Sequence, residues 1–203
     1  MRFMSKDVAL DPRTLLTAYA NGAFPMAQRD GVIRWCTADP RGVLPLGAFH
    51  VPGTLRALMK KTPERGGFEV RINGDFEATM RACAEARADG TWINDRLIAA
   101  YVRLHRMGFA HSVETWKDGA LAGGCYGVSL GGAFFGESMF HRVTDASKVA
   151  LVSLVNRLND RGFALLDTQA VTAHLRRFGC VQIPAETYLK ALAAALELDR
   201  EFV

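Results

Sequence analysis

The sequence predicts an α+β protein: a small N-terminal subdomain over residues 1–39, then one larger domain over residues 40–203 whose central sheet is covered by helices. Three observations predict it. From His111 to Phe140 apolar residues recur with a period of two across two tight turns, the pattern of an antiparallel meander. Between Asp145 and Gly162 the period becomes helical, with Leu151, Leu154, Val155 and Leu158 in one stripe, and Phe163 to Gln169 follows as an apolar strand turning polar at its end. At 203 residues and 49% hydrophobic, the chain has ample material for a core, which excludes overall disorder.

Asp11-Pro12 opens a first helix of about ten residues, with a capping carboxylate, proline at the first helical position and Gly22 at the exit. Ala23-Phe24-Pro25-Met26, Trp35-Cys36 and Asp39-Pro40-Arg41-Gly42 then alternate turn signals with large apolar groups, which predicts an irregular segment. Pro52-Gly53-Thr54 starts a short helix ending at Lys60-Lys61, and Phe68 to Asn73 alternates as a strand. Two helices follow, Asp75 to Ala88 and Asn94 to Met107, the second with Leu97, Tyr101 and Leu104 on one face. Trp92 in the link between them is either a core plug or a stacking platform for a base.

The meander reads as His111 to Trp116, Ala120 to Leu130 and Ala133 to Phe140, turning at Lys117-Asp118-Gly119 and Gly131-Gly132. Its glycines, Gly123, Gly124, Gly127 and Gly136 among them, either leave room for a ligand against the sheet or mark bulges. Asp145 or Ser147 can cap the next helix, and helices over Val171 to Phe178 and Ala185 to about Leu198 end the chain.

Residues 1–7 are too short and too charged for a signal peptide, and no apolar run approaches a membrane span, so a cytoplasmic protein is expected. Cys36, Cys83, Cys125 and Cys180 show neither disulfide nor zinc spacing. A net charge of +4 allows a polyanionic partner without requiring one. Lys60, Lys61 and Arg65, with Arg56 one turn earlier, are the densest basic group, readable as a solvated helix end or as a phosphate contact.

The chemistry is expected between Phe134 and Gln169. Glu137 interrupts an apolar run, and Asp167 and Gln169, two apart on a strand, share a face while Thr168 points opposite. A carboxylate beside a carboxamide can orient the amide and bias a nearby proton. The alternative is a strand end with its polar groups in water.

Gly136-Glu137-Ser138-Met139-Phe140, Ala146-Ser147-Lys148 and Asp167-Thr168-Gln169 stand behind Asp39-Pro40-Arg41, Gly90-Thr91-Trp92-Ile93, Ala110-His111-Ser112 and Gly123-Gly124-Cys125-Tyr126-Gly127. In that order, from about Leu15 to Tyr188, they closely resemble the bacterial leucyl/phenylalanyl-tRNA–protein transferases. The resemblance implies an enzyme that moves leucine or phenylalanine, with methionine a third candidate, from its tRNA to the N-terminal amine of a protein beginning with arginine or lysine, marking that protein for degradation. It implies a catalytic domain with the fold of the acetyl-CoA-dependent N-acetyltransferases. Asp167, Gln169 and Glu137 would form the polar active-site set; Tyr19, Trp92 and Tyr101 would surround the terminal adenosine; Phe134, Leu154, Leu158 and Leu166 would help form the aminoacyl pocket. Lys60, Lys61 and Arg65 become candidates for the tRNA acceptor stem.

The chain departs from the family pattern at several places. Met26 stands where a tryptophan is common, and Arg34 replaces the usual second tryptophan before Trp35. Cys125 takes a methionine position, and Leu154 and Leu158 take positions where aromatics are common, so the balance between leucine and phenylalanine is open. Because the substrate is an activated ester, no metal, ATP or other cofactor is expected, and a monomer is. Two alternatives remain. An N-acetyltransferase would hold a pyrophosphate on glycine-rich backbone after the meander, where residues 141–147 contain no glycine. A noncatalytic RNA-binding module would leave Glu137, Asp167 and Gln169 unexplained.

Overall fold

The computed structural model describes residues 2–3, 7–86 and 90–203. After a two-residue strand β1 (Arg2–Phe3), helix α1 (Pro12–Ala20) begins as its sequence requires: the Asp11 carboxylate accepts from the Thr14 N–H at 3.0 Å, and Pro12 sits where no N–H is needed. The segment expected to be irregular is instead a small sheet. Strands β2 (Phe24–Ala27) and β3 (Ile33–Thr37) pair antiparallel, and β1 adds to the far side of β3. The turn signals around Gly31 close that hairpin, with the Gly31 N–H on the Gln28 carbonyl at 2.9 Å.

Next come β4 (Arg41–Val43), α2 (Gly53–Met59), β5 (Glu69–Ile72), α3 (Phe76–Glu85) and α4 (Asp95–Arg106). Asp75 and Asn94 cap α3 and α4 by accepting from Ala78 and Leu97 N–H groups. The expected continuation of α3 to Ala88 reaches residues 87–89, outside the described residues. Leu97, Tyr101 and Leu104 are fully buried, as their spacing predicts.

The meander is β6 (Ala110–Lys117), β7 (Ala120–Leu130) and β8 (Ala133–His141). Asp118 and Gly119 both take positive φ, 52° and 74°, the pair of conformations that a two-residue hairpin turn needs. Then follow α5 (Ala146–Asp160), β9 (Leu165–Gln169), α6 (Ala173–Arg176), β10 (Val181–Ile183) and α7 (Ala185–Leu196). Two local expectations are corrected. Asp145 occupies the N-cap position of α5 at φ 69° but caps nothing, because its carboxylate turns to Lys148; Ser147 lies inside the helix. The helix expected from Val171 to Phe178 shrinks to α6, because Val171 packs on the core and Thr172, with extended backbone, starts the helix only after it by accepting from the Leu175 N–H.

The main sheet has the order β10-β4-β9-β8-β7-β6-β5, antiparallel throughout except between β8 and β9. Helix α5 is the crossover that parallel neighbours require. This β-β-β-α-β order under flanking helices is the α+β arrangement that the sequence predicts. The parallel pairing lasts three residue pairs, Ala133↔Leu165, Phe134↔Leu166 and Phe135↔Asp167. Beyond them β8 stays with β7 to His141 while β9 stays with β4 to Gln169, so the sheet forks.

The room left by the β7 glycines is filled by protein. A side chain at Gly123 would meet Ala146 of α5 at 2.6 Å, and one at Gly127 would meet the Phe135 carbonyl at 2.2 Å. One apolar cluster runs from α1 and the small sheet through α3 and α4; a second lies under α5. Glu114, fully buried on β6, accepts from the Ser112 hydroxyl, the Asp75 N–H and the Trp116 indole, which ties β6 to the start of α3. His111 bonds Asn73 and the Gly108 carbonyl, so the Ala110-His111-Ser112 motif belongs to the frame. The four cysteines are buried and form no disulfide. Among the described residues no helix is long and apolar enough to cross a membrane.

Candidate active site

In the fork between β8 and β9 lies a cavity of about 820 Å³. Its composition follows from which strand supplies each wall. Cys125, Met139, Leu151, Leu154 and Leu166 make an apolar pocket over α5; Glu137, Thr168 and Gln169 stand where the strands part; Phe24, Met26 and Trp92 come from the small sheet and the α3–α4 link. His141, Lys148, His174 and Arg177 add positive or protonatable groups. Burial pushes the Cys125 thiol up to about 12, so it serves as apolar wall and not as a nucleophile. Among the described residues no cluster of His, Cys, Asp and Glu could hold a metal ion.

Of the two acidic residues that line the cavity, Asp145 is paired with Lys148, and Glu137 stands where the strands part. The Tyr19 hydroxyl donates to its Oε1 at 2.8 Å, the Tyr101 hydroxyl lies 3.4 Å from its Oε2, and the two tyrosine hydroxyls bond each other. The Gln169 amide donates to Oε1 at 3.4 Å. Burial pushes the Glu137 carboxyl up to about 8; the Tyr19 hydrogen bond opposes this and the nearby Asp167 charge adds to it.

Asp167 lies behind the fork, with no exposure, inside a ring of donors. Arg41 reaches it with two parallel bonds, Nε to Oδ1 at 2.9 Å and Nη2 to Oδ2 at 2.6 Å. The Tyr188 hydroxyl donates to Oδ2 at 2.7 Å, and the Gln169 backbone N–H to Oδ1 at 2.8 Å. Gln169 has φ 55°, a left-handed conformation that glutamine rarely takes, and the Ala170 N–H closes a tight turn onto the Thr168 carbonyl. The contacts keep the alternation expected of the strand: Asp167 meets Arg41 and Tyr188 and the Gln169 amide meets Glu137 beside Tyr19, whereas the Thr168 hydroxyl meets Cys180 in the cluster under α5. Thr168 and Gln169 both line the cavity. Gly42 permits the turn, since a Cβ there would come within 2.6 Å of the Ala170 carbonyl carbon.

A family model described as leucyl/phenylalanyl-tRNA protein transferase matches residues 43–193, and the model of that family's N-terminal domain matches residues 9–39. The chain belongs to this family. By that membership it is an aminoacyltransferase. It is 54% identical over 186 residues to the leucyl/phenylalanyl-tRNA–protein transferase of Paramagnetospirillum magneticum, covering 90% of this chain and 87% of the relative. Identity to the protein of that name in Rubrobacter xylanophilus is 51% over 194 residues, covering 95% and 98%. Among solved structures, L-PGS from Bacillus licheniformis overlays 78% of this chain and 50% of its own at a TM-score of 0.44 and 10% identity, a likeness too loose to bear on function.

Within this transferase the residues singled out from sequence fall into three layers. Glu137, Gln169, Trp92, Leu154 and Leu166 line the cavity. Asp167, Tyr19, Tyr101, Phe134 and Leu158 are buried behind it, so the two tyrosines meet the site through their hydroxyls on Glu137 and offer no free face for stacking. Lys60, Lys61 and Arg65 are exposed beyond the end of α2 and do not line the cavity. Sequence reasoning missed Arg41 and Tyr188. The signal for Arg41 was present: an arginine in the run Gly42-Val43-Leu44, where burial demands a carboxylate partner.

Proposed function

We propose that this enzyme transfers leucine or phenylalanine from its tRNA to the N-terminal amine of proteins that begin with arginine or lysine, marking them for degradation. The observation that carries this reading is the cavity itself: an aliphatic pocket directly beside a protonatable carboxyl and a carboxamide, in a volume suited to an aminoacyl group and the ribose that bears it. The pocket of Leu151, Leu154 and Leu166 favours large apolar side chains by about 1–3 kcal/mol per methylene. Polar side chains would be desolvated there without partners.

The acceptor amine attacks the ester carbonyl carbon, a C–N bond forms, and the C–O bond to the tRNA ribose breaks. One proton must leave the nitrogen and one must reach the ribose oxygen. Glu137 is the group that carries it, because its value near 8 matches an α-amine of about 8 and lets the proton move either way with little penalty. Gln169 orients the amine through its carboxamide oxygen. Alignment of amine and ester supplies the rest, up to roughly 7–11 kcal/mol in favourable cases. Trp92 supports the terminal adenosine, and Tyr19 and Tyr101 serve by holding Glu137. Residues 1–39 act in this reading as a small subdomain that lends Tyr19, Phe24 and Met26 to a catalytic domain over 40–203, in a cytoplasmic monomer.

The test is transfer of radiolabelled leucine and phenylalanine from charged tRNA to peptides that differ only in an N-terminal Arg or Ala, with neither ATP nor acetyl-CoA. Label on the Arg peptide alone is expected; no transfer to either peptide, with tRNA still bound, would overturn the reading. The exposed Lys60, Lys61 and Arg65 are expected to meet tRNA phosphates. Changing all three to Gln should weaken tRNA binding and reduce the slope of log K against log salt by about 2–3, and an unchanged slope returns them to a solvated helix end.

A further inference from the structure

We propose that Arg41 is a positioning residue of the transfer reaction, acting through Asp167 to hold the Gln169 carboxamide in the cavity. The inference rests on the transferase reading above and concerns a residue that never touches substrate. Arg41 is 1% exposed and does not line the cavity. Its guanidinium lies between the Phe24 and Tyr188 rings, 5.0 and 4.4 Å from their centres, and donates to the Gly22 carbonyl, Tyr188 and both Asp167 oxygens.

A carboxylate offers about four lone-pair sites. Those of Asp167 are matched by four donors: Arg41 twice, Tyr188 and the Gln169 N–H. No site remains to accept a proton from a substrate amine, so Asp167 acts by holding what it binds. What it binds on the cavity side is the backbone of Gln169, at the one residue of β9 forced into a left-handed conformation. Strain of that kind persists only where the surroundings impose it. Arg41 imposes it: the fork-to-fork pairing fixes the plane of the carboxylate, hence the direction of Oδ1, hence the turn that delivers the Gln169 side chain toward Glu137. Stability gives no sufficient reason for the pair, since a buried ion pair contributes little over apolar residues of the same volume.

The two roles open to Arg41, holding the fold and positioning Gln169, separate in steady-state transfer of leucine from leucyl-tRNA to an N-terminal Arg peptide. Arg41→Gln and Asp167→Asn are each expected to lower kcat about 100-fold, with KM for leucyl-tRNA within two-fold. The double variant, which removes both charges and restores a neutral hydrogen-bonded pair, should recover at least ten-fold over Arg41→Gln and keep the wild-type inflection in its kcat–pH profile. A double variant no better than Arg41→Gln, or one without that inflection, would show that the Asp167 charge acts on substrate and would overturn the proposal. Arg41→Lys keeps the charge and loses the fork. It should fold and melt within a few degrees of wild type with kcat about ten-fold lower; an unchanged kcat assigns Arg41 to folding alone. Wild-type enzyme that transfers nothing would sink the reaction itself, whereas an active wild type beside unaffected Arg41 variants sinks only this role.

Discussion

Replacing Glu137 by Gln is expected to make the protein more stable at pH 8 and at the same time to lower kcat for transfer about 100-fold or more. The stability half follows from the proton. Glu137 is surrounded by the Tyr19 and Tyr101 hydroxyls and the Gln169 amide, with the Asp167 charge raising its pKa and the Arg41 charge lowering it. Burial outweighs the hydrogen bonds and lifts the carboxyl from its ordinary 4.5 to about 8. The folded chain thus binds this proton more tightly than the unfolded chain. Its contribution to stability is complete below about pH 4.5 and is lost as pH rises through about 8. Glutamine has no charge to bury, so the melting curves of variant and wild type should nearly coincide at pH 5 and separate with rising pH. For a chain of this size each kcal/mol moves Tm by about 2–4 °C, and a gain of about 3 °C or more at pH 8 is expected.

The activity half follows from the same group. A positioned acid or base contributes roughly 10²–10⁴ in rate, and glutamine can neither take nor return the amine proton. Wild-type kcat should rise with pH toward 8, where Glu137 and the acceptor amine both lose their protons, and the variant should keep only the amine's part of that limb. Calorimetry at pH 5 and 8, beside a pH–rate profile of each protein, checks both. A variant that is less stable at pH 8, or that turns over within a few-fold of wild type, removes Glu137 from the reaction.

The elements most legible in the sequence are those with local causes. Asp11, Asp75 and Asn94 accept the N–H groups their positions suggest, and the meander turns where Asp118-Gly119 can supply two positive φ values. Strands of three to five residues, such as β2, β3 and β4, are too short to display a period, and they form because a partner strand lies beside them. For the site, polar residues interrupting apolar strands were enough to find Glu137 and Gln169. The partner of Asp167 was not legible: it is held by Arg41, a side chain 126 residues earlier that no local pattern connects to it. Tyr19 and Tyr101 show the same limit: positions around a terminal adenosine do not reveal that both rings are buried and that their hydroxyls bond Glu137.

Phe202→Ala is expected to lower Tm by about 10 °C or more at pH 7.5. Nothing local around Phe202 marks it as a core residue, yet it is 1% exposed at the centre of the cluster under α5. Its ring meets His111, Phe134 and Phe163 at 4.5, 5.1 and 6.3 Å between centres, and the Arg157 guanidinium lies 5.1 Å above it while donating to its carbonyl. Truncating a phenylalanine so enclosed removes about 3–5 kcal/mol. His111 gives the loss a pH signature. Burial holds its pKa down at about 4, helped by the charges of His105 and Arg157, so its contribution to stability is present above about 6.5 and lost as pH falls through about 4. Water entering beside the truncated ring raises that pKa toward its ordinary value, and the variant then loses less than wild type on acidification. The gap in Tm should therefore be widest near pH 7.5 and narrow toward pH 4. A gap below about 3 °C at pH 7.5, or one that widens in acid, would mean that the cluster closes over the missing ring and that Phe202 does not hold His111 neutral.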